Sequence, residues 1–583
     1  MNSSYNSIKI VRYVVQKSYM QCTGLLIVDL ATAFIPMLTA WALKTLLESM
    51  SADAMLYMLV LMVALLSLFS FLGNLFSTLR GLLTDLLGRK TRNLITRHLM
   101  IQVRSMPLIN FDTEEKYADI AKAKETVGFF VTFVDALSGS MRMIIILTTF
   151  AITLWTIDPI VALLTLVVGG PALYFSGKVS AIEFKVHQNQ HSQQRIVDYI
   201  ADLLIKPGSA KESKLFSSNH FLIGRWGSLS QGLIKENLKI SLKSMLLELM
   251  VMVVGLILFF VTLIRLVYTL NEPGQGLMGL TLIAIIPFAV SVFQTIQSGQ
   301  SDVKKLVKSV HEWEIYKNVI EKPSSDKNET NPIIEKTSPL VELKAVSFKY
   351  PNKEEWILKD IELSIGVGET VALVGENGSG KSTLAKLIAG MYHPSSGDIR
   401  VMGKSTVRWS RLQLRKYISF VFQQPIRYPL SLKDNITMRL RDSDDAERLM
   451  ERFGLKTHLR DEARLGIGFK GGINLSGGQW QMVSIARAFA KPKAVLFIVD
   501  EPTSSMDPET EVEAFRLFRN HIEGAASIII SHRLGFAREA DRILFLKDGF
   551  IAEAGTHHEL IELGGGYASL YETQSSWYKG GMR

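Results

Sequence analysis

The 583-residue sequence contains a single cysteine, Cys22. One thiol can form neither an intramolecular disulfide framework nor a Cys-rich metal site, so neither device holds this fold together. At the start of an apolar run, Cys22 reads as a small apolar filler. Positive charge is missing from particular places as well. The connections "TLLESMSAD", "TIDP" and "NEPGQG" hold no Lys or Arg, whereas Gly81–Thr126 holds Arg89, Lys90, Arg92, Arg97, Arg104, Lys116, Lys122 and Lys124. Aromatic–basic interleaving is also lacking. The net charge of +10 is therefore a topological bias and not a nucleic-acid footprint, and no nucleic-acid partner is expected.

Apolar residues are what the sequence has in excess. They make up 48% of the chain beside 21% charged residues, a mixture that predicts a membrane half joined to a soluble half. The long apolar runs all precede residue 300: Cys22–Leu47, Met55–Phe76, 131–157, 160–177, Met245–Ile264 and Leu277–Ile296. Each is close to the roughly 20 residues a helix needs to cross a bilayer, so six spans are expected. The Lys/Arg bias puts both termini and the two long loops in the cytoplasm of a multi-pass protein. "MNSSYNSIKIVRYVVQKSYMQ" is polar and basic, and no small-residue cleavage site follows it. An uncleaved first span is expected.

Two cytoplasmic stretches, about 80–130 and 178–243, keep a helical period, so the membrane helices should extend beyond the bilayer. Each is broken once, at "SMPLINFDTEE" (Ser105–Glu115) and "IKPGSAKESKLFSSNHF" (Ile205–Phe221). These breaks, near Phe111 and Phe216, are candidate contact points for another domain. After Gln297 the chain turns polar, and "EKPSSDKNETNPIIEKTSP" reads as a linker. The runs "VELKAVSFKY", "ETVALVG", "STLAKLIAGMY", "ISFVFQ", "AVLFIVDE" and "ASIIISH" then alternate strand-like and helical patterns, which predicts an α/β domain with a mainly parallel sheet. The expected fold is an all-α membrane domain of six helices (1–300), a linker (301–340) and an α/β P-loop NTPase domain (341–583).

"GENGSGKS", Gly375–Ser382, follows the apolar run "VALV" and opens the helical pattern "STLAKLIAG". This is the strand–loop–helix setting of a G-x-x-x-x-G-K-[ST] phosphate-binding loop. Gly375, Gly378 and Gly380 let backbone N–H groups turn inward onto phosphate oxygens, and the helix N-terminus adds its dipole. Asn377, Ser379 and Thr383 belong to the same nucleotide-binding stretch. Lys381 supplies a mobile positive charge for the β- and γ-phosphates, and the Ser382 hydroxyl is a Mg²⁺ ligand. "AVLFIVDE" places two carboxylates at the C-terminal end of a buried strand, where α/β sheets put their ligands. There Asp500 suits the Mg²⁺ shell, and Glu501 suits a water to be activated against the γ-phosphate. ATP and Mg²⁺ are the cofactors expected.

With these motifs in this order, the whole chain resembles ATP-binding cassette (ABC) transporters of the exporter type, with membrane and ATPase domains fused. The resemblance implies roles for further residues. Tyr350 in "VSFKYPN" is similar to the aromatic that stacks on adenine. Gln423 in "VFQQP" resembles the glutamine that touches Mg²⁺. "LSGGQ", Leu475–Gln479, is the family signature, and Asp507 ends the "SSMD" loop that links paired sites. His532 in "IIISHR" resembles the histidine that contacts the γ-phosphate and holds Glu501 with the water. Catalysis is thereby assigned to Glu501, His532 and Gln423. The signature serves the partner's phosphate-binding loop: Ser476, Gly477, Gly478 and Gln479 form a helix N-terminus facing the γ-phosphate bound by the other subunit. One intact copy of each motif implies a symmetric homodimer with two composite sites. Glu501→Gln is expected to bind ATP and dimerise but to hydrolyse poorly. Where many exporters carry an acidic residue before the signature, this chain has Lys470 in "FKGGIN", and the motif's role does not carry over.

For the cargo, ionisable residues within the spans are candidates by default: Asp29, Arg142 and Glu248, with Arg265 nearer the outer surface. The competing reading is that they pair with one another. Gln294 and Gln297 could line the cavity. The trailing "WQ" of "LSGGQWQ" and the loop "SAKESKLF" resemble exporters of ribosomally made peptides such as lantibiotics. No peptidase domain precedes the first span in this sequence, so the chain is not expected to trim its cargo. The readings carried forward are a peptide exporter in a bacterial plasma membrane, a multidrug or lipid exporter of the same layout, and, outside transport, an ATP-gated receptor or channel. Membrane lipids and a peptide or amphiphilic substrate are the partners expected.

Overall fold

Long apolar runs fold as helices because only an internally hydrogen-bonded backbone survives transfer into hydrocarbon. The computed structural model describes the chain apart from residues 1–2, 52–55, 156–158, 271–277, 321–338, 352, 439–442, 456–463, 467–471, 502–515, 521, 523, 532–536 and 581–583. It divides into two compact units, Met1–Arg104 with Tyr117–Pro323, and Ser105–Lys116 with Ser324–Arg583.

The first unit is helical: α1 (Ser3–Ser51), α2 (Leu56–Ser105), α3 (Glu114–Glu125), α4 (Phe129–Trp155), α5 (Pro159–Ile205), α6 (Pro207–Leu215), α7 (Asn219–Leu270) and α8 (Met278–Ile320). Among the described residues, three stretches are long and apolar enough to cross a membrane: Ile10–Leu46, Leu56–Ser105 and Glu115–Ile152. The expected spans at 160–177, 245–264 and 277–296 lie on α5, α7 and α8, where many side chains are outside the described residues. α2 shows how one helix serves two solvents. Its first part exposes Leu56, Tyr57, Val60, Leu61 and Val63, an apolar surface suited to lipid, whereas its buried residues, Leu87, Thr91, Ile95 and Leu99, all belong to its second half.

Small residues allow α4 and α8 to meet closely. A Cβ on Gly139 would lie 2.1 Å from Asp302 Oδ2, and one on Gly299 would lie 2.0 Å from Met143 Sδ. α8 does not end at residue 300. It runs to Ile320, so residues 301–320 of the expected linker are helix. The reason is visible in its packing: Ser309, Tyr316, Val319 and Ile320 are buried at helical spacing. Tyr316 accepts or donates a 2.9 Å bond with His98 Nδ1.

Among the described residues, the second unit holds two sheets. β1 (Val341–Phe348), β2 (Leu358–Ile365), β4 (Ser396–Val401) and β5 (Lys404–Ser405) form an antiparallel sheet in the order β2-β1-β4-β5. β3 (Thr370–Gly375), β6 (Ile418–Val421), β7 (Leu496–Asp500), β8 (Ala526–Ile530), β9 (Arg542–Lys547) and β10 (Phe550–Gly555) form the other, in the order β10-β9-β3-β8-β7-β6. Only the β10–β9 edge pair of that sheet is antiparallel. The mainly parallel sheet is therefore present, with a separate antiparallel sheet that the strand pattern did not announce. Its strands alternate exposed and buried residues, whereas β7 and β8 are buried throughout, as a sheet covered on both faces requires.

Helices α9 (Lys381–Ile388), α10 (Arg411–Tyr417), α11 (Leu432–Thr437), α12 (Ser443–Arg452), α13 (Gly477–Phe489), α14 (His557–Leu563) and α15 (Gly566–Gly580) also belong to this unit. Leu384, Leu387 and Ile388 of α9 share one core with residues of both sheets. α13 anchors a second core through Trp480, Val483, Ile485 and Phe489. The loop after α2 belongs to this unit. Leu108 and Ile109 pack on the first core, and the Tyr392 hydroxyl donates to Asp112. The other expected break folds as α6 between Lys206 and Phe216, and Phe216 is exposed.

Candidate nucleotide site

β3 ends at Gly375, and the chain turns back into α9 within a few residues. Two glycines make that turn possible. Gly375 has φ 150°, and a Cβ there would lie 2.2 Å from the Leu546 carbonyl of β9. Gly380 is the N-cap of α9 with φ 102°, and its Cβ would meet a Leu358 methyl at 2.7 Å. Both have φ values that favour glycine, and both are hemmed in by neighbours. Asn377 and Gly378 stand exposed at the loop tip, while Ser379, Lys381 and Thr383 are buried.

Lys381 Nζ donates to the carbonyls of Gly375 (2.9 Å) and Glu376 (2.7 Å) and lies 3.5 Å from Ser379 Oγ. The ammonium is thus folded over its own loop. Burial pushes its pKa below the ordinary lysine value, opposed by Glu501 and Asp500. Ser382 Oγ donates to Asp500 Oδ1 at 3.2 Å. Asp500 closes β7 and is 6% exposed. Burial raises its pKa, and the Ser382 bond opposes that.

Glu501 follows with φ 46°, a left-handed conformation that costs a non-glycine residue roughly 1–2 kcal/mol. Its N–H still bonds the Ile530 carbonyl at 3.0 Å. The ladder is extended while the strand's alternation is broken, so two successive carboxylates serve one site. Gln423, two residues past β6, donates its Nε2 to Glu501 Oε2 at 2.5 Å. That bond fixes the amide orientation and leaves Gln423 Oε1 as an acceptor. Ser382, Asp500 and Gln423 therefore offer hydroxyl, carboxylate and amide oxygens, the hard donor set that suits Mg²⁺.

Tyr350 has its ring edge-on to Phe348 and Tyr392, with centroids 5.1 and 5.8 Å away. Its hydroxyl reaches Thr383 Oγ1 at 3.2 Å, which docks this aromatic on the first turn of α9. The signature residues form a separate cluster. Ser476 caps α13, its Oγ accepting from Gln479 N at 3.2 Å while Gln479 Oε1 accepts from Ser476 N at 2.9 Å. This reciprocal capping box leaves the Gly477 and Gly478 amides as first-turn donors at the positive end of the helix. Among the described residues, no hydrogen bond joins this cluster to Gly375–Thr383. Asp507, His532 and Lys470 lie outside the described residues.

The structure thus assembles Lys381, Ser382, Gln423, Asp500 and Glu501 into one site and leaves the signature apart. Pattern reading missed Arg487 and Asn435, which tie the segment after Gln423 to α13, and Tyr392, which packs on Tyr350. The available signal for Arg487 was a lone cation in the mostly apolar "VSIARAF".

In the helical unit, two of the anticipated candidates, Asp29 and Arg142, meet in a network with Arg80, Asp135 and Lys305, which were not anticipated. Arg80 Nε donates to Asp29 Oδ1 (2.9 Å) and Arg80 Nη2 to Asp135 Oδ1 (2.7 Å). Arg142 Nη1 reaches Asp29 Oδ1 (3.1 Å), and Lys305 Nζ reaches Asp135 Oδ2 (2.9 Å). Asp29 and Arg142 therefore follow the pairing alternative. The side chains of Glu248 and Arg265 lie outside the described residues, and Gln294 and Gln297 are exposed.

A phosphate-binding loop beside a strand-end Asp–Glu pair, in one chain with long apolar helices, defines a membrane-bound P-loop nucleoside triphosphatase. Residues 358–504 match the family model described as ABC transporter. The chain is 29% identical over 573 residues to the nisin transport ATP-binding protein NisT of Lactococcus lactis subsp. lactis, covering 94% of this chain and 93% of that one. It is 28% identical over 496 residues to the subtilin transport ATP-binding protein SpaT of Bacillus subtilis (82% and 79%). It is 34% identical over 332 residues to an ATP-dependent lipid A-core flippase of Alkalilimnicola ehrlichii (56% and 54%). A bacterial Atm1-family ABC exporter solved with ATP bound shares the fold, with a TM-score of 0.79 at 20% identity over 96% of this chain and 99% of that one. The chain thus joins an ABC transporter ATPase domain to a helical membrane unit in the ABC exporter fold, and its homology to exporters supports ATP hydrolysis coupled to export.

Proposed function

We propose that this protein exports a peptide across the plasma membrane as a homodimer with two composite ATP sites, both termini lying in the cytoplasm. The observation that carries the cargo reading is that relatives matching most of the chain are named for transport of nisin and subtilin. The composite-site reading is supported by the separation of the single signature from the single phosphate-binding loop. The Lys and Arg of Gly81–Thr126, against none in the opposite connections, support the orientation.

Within each site, Gly375–Thr383 and Lys381 bind the phosphates of ATP, and Tyr350 takes the adenine. Ser382, Asp500 and Gln423 would hold Mg²⁺, which would supply charge neutralisation of the phosphates. Glu501 accepts the proton of the attacking water, with its carboxylate aimed by the Gln423 amide; His532 contacts the γ-phosphate, and Asp507 links the paired sites. The Ser476 hydroxyl, whose oxygen already accepts from Gln479, still has its own proton to donate. With the Gly477 and Gly478 amides it meets the phosphate held by the other subunit. The membrane domain occupies 1–300 and the ATPase domain 341–583, with the helix α8 bridging into the intervening segment.

The 34% identity to a lipid A-core flippase over part of the chain supports a second reading, a lipid or multidrug exporter. ATPase activity in lipid nanodiscs separates the two, with Glu501→Gln as the blank. Saturable stimulation by cationic peptides alone supports the peptide exporter. Stimulation by lipids or hydrophobic dyes alone replaces it with the second reading, and ATP binding without sustained turnover points to the gated receptor or channel.

A further inference from the structure

The segment that follows β6 begins with Phe422 and Gln423 and runs to Leu430 without regular structure; most of it is exposed. Its position matters, because Gln423 is the residue that meets Glu501. Two side chains hold it. Asn435, fully buried in α11, donates its Nδ2 to the carbonyls of Tyr428 (3.0 Å), Leu430 (3.2 Å) and Ser431 (3.1 Å). Arg487 reaches across from α13. Its Nε donates to Asn435 O at 2.7 Å, and its Nη2 lies 3.2 Å from Asn435 Oδ1 and 3.5 Å from Ile426 O. The guanidinium also lies over the Tyr428 ring, 5.0 Å from its centroid.

This is an unusual use of an arginine. Its acceptors are carbonyl oxygens and an aromatic face, and among the described residues no carboxylate forms an ion pair with it. Burial depresses its pKa, and Tyr428 opposes that. A half-buried guanidinium is retained at that cost where its planar fork fits several acceptors at once, which a lysine ammonium does not do. Only Gln424 and Pro425 separate Gln423 from the tied Ile426, and proline fixes one of the intervening torsions. Little slack remains between the tie and the amide. The other end of α13 is the signature, capped by Ser476.

We propose that Arg487 is a positioning residue for hydrolysis: by clasping Asn435, Ile426 and Tyr428 it binds the Gln423 segment to the signature helix, so that the stance of that helix sets how the Gln423 amide meets Glu501. Arg487 touches no nucleotide and acts through Gln423. The proposal rests on Glu501 and Gln423 belonging to the hydrolytic site.

The test is a double-mutant cycle on the full-length protein in nanodiscs, reading kcat, KM for ATP, and binding of a fluorescent ATP analogue. Arg487→Ala is expected to lower kcat about 10- to 100-fold, the scale of a misplaced catalytic group, while ATP-analogue affinity changes less than about twofold. Arg487→Lys keeps the charge, loses the fork and recovers only a small part of the rate. The deciding variant is Gln423→Ala with Arg487→Ala, which should turn over no more slowly than Gln423→Ala alone, because Arg487 then has nothing left to position. Defects that multiply in the double variant, or a parallel loss of ATP affinity, overturn the proposal. If Arg487→Ala does not fold, Tyr428→Leu takes its place in the same cycle, with the same non-additivity expected and a multiplicative result again decisive against it. Near-normal turnover in Glu501→Gln would instead overturn the assignment of Glu501, and the Arg487–Gln423 cycle would still report on the clasp.

Discussion

The Tyr392 hydroxyl donates a hydrogen bond to the Asp112 carboxylate, joining residues 280 positions apart in the chain. Asp112 lies in the short loop after α2, and Tyr392 is 3% exposed, with its ring against Phe348 and Tyr350. A contact with the loop after α2 thus ends on the aromatic group that docks, through Tyr350, on Thr383 of α9. Burial first, and then Asp112, push the Tyr392 hydroxyl above its ordinary pKa. It therefore stays protonated, and the bond persists through the neutral range.

Tyr392→Phe removes this bond and keeps the ring. Basal ATP hydrolysis is expected to change by less than about twofold, while stimulation by cargo falls several-fold, because a hydrogen bond to a charged group contributes about 1.5–3 kcal/mol and less where its acceptor is exposed. Side-by-side ATPase assays with and without stimulating peptide check this. An unchanged stimulation ratio would remove the bond from the coupling route.

Glu501→Gln keeps the side-chain size and the backbone at φ 46° but loses the proposed base. Turnover should fall at least 100-fold, the upper part of the range for removing a general base, with ATP binding intact and ATP-dependent dimers accumulating on size-exclusion chromatography. Rapid turnover would transfer the role of base to another group.

Asp500 brings a pH dependence whose sign follows from its raised pKa. The folded chain holds that proton more tightly than the unfolded one, so without metal the Asp500 carboxylate costs stability at neutral pH. That cost disappears as the pH falls through its raised folded pKa. Mg²⁺ held by Asp500 as proposed would need the deprotonated form, so protons would compete with the metal in the same window, above the ordinary carboxylate value of 3.8. The extra thermal stabilisation by Mg²⁺ with ATP over ATP alone should therefore shrink on acidification from pH 7 toward 5. In Asp500→Asn it should be small throughout. Differential scanning fluorimetry across that range reads the effect, and an equal pH response in both proteins would exclude Asp500 as its source.

Arg80 bridges Asp29 and Asp135, whose side chains are 3% and 13% exposed. Asp29 Oδ2 is buried with no hydrogen-bond partner among the described residues. Arg80→Ala leaves Asp29 with Arg142 and Asp135 with Lys305, each short of one donor. A loss of roughly 3 kcal/mol is expected, the low end for a broken buried pair. Thermal unfolding in detergent measures it, and Arg80→Ala/Asp29→Asn should recover part of the loss. A shift below about 1 kcal/mol would mean that the network is solvated.

Much of the architecture was legible because its signals are local. The phosphate-binding loop is eight consecutive residues between a strand and a helix, and the apolar runs announce their helices by length alone. What misled was equally local. The segment after residue 300 is polar in composition, yet Ser309, Tyr316 and Val319 recur at a helical period, and α8 runs through it to Ile320. The antiparallel sheet escaped because the register of β1 against β2 and β4 depends on partners that no single strand names.

The amino-acid sequence by itself determined the class of protein: Lys381, Ser382, Asp500 and Glu501, to which the chemistry is assigned by proposal, lie in contiguous motifs whose backbone conformation is set by their own glycines and flanking strands. Only the tertiary structure decided the partnerships. Asp29 and Arg142, candidates for cargo when read alone, neutralise each other with Arg80. Arg487 clasps a segment 52 to 61 residues upstream, and Asp112 meets Tyr392. The physical reason is that an ion pair or hydrogen bond depends on a few ångströms of separation in space, and burial makes each such group demand a partner that the order of residues along the chain does not specify.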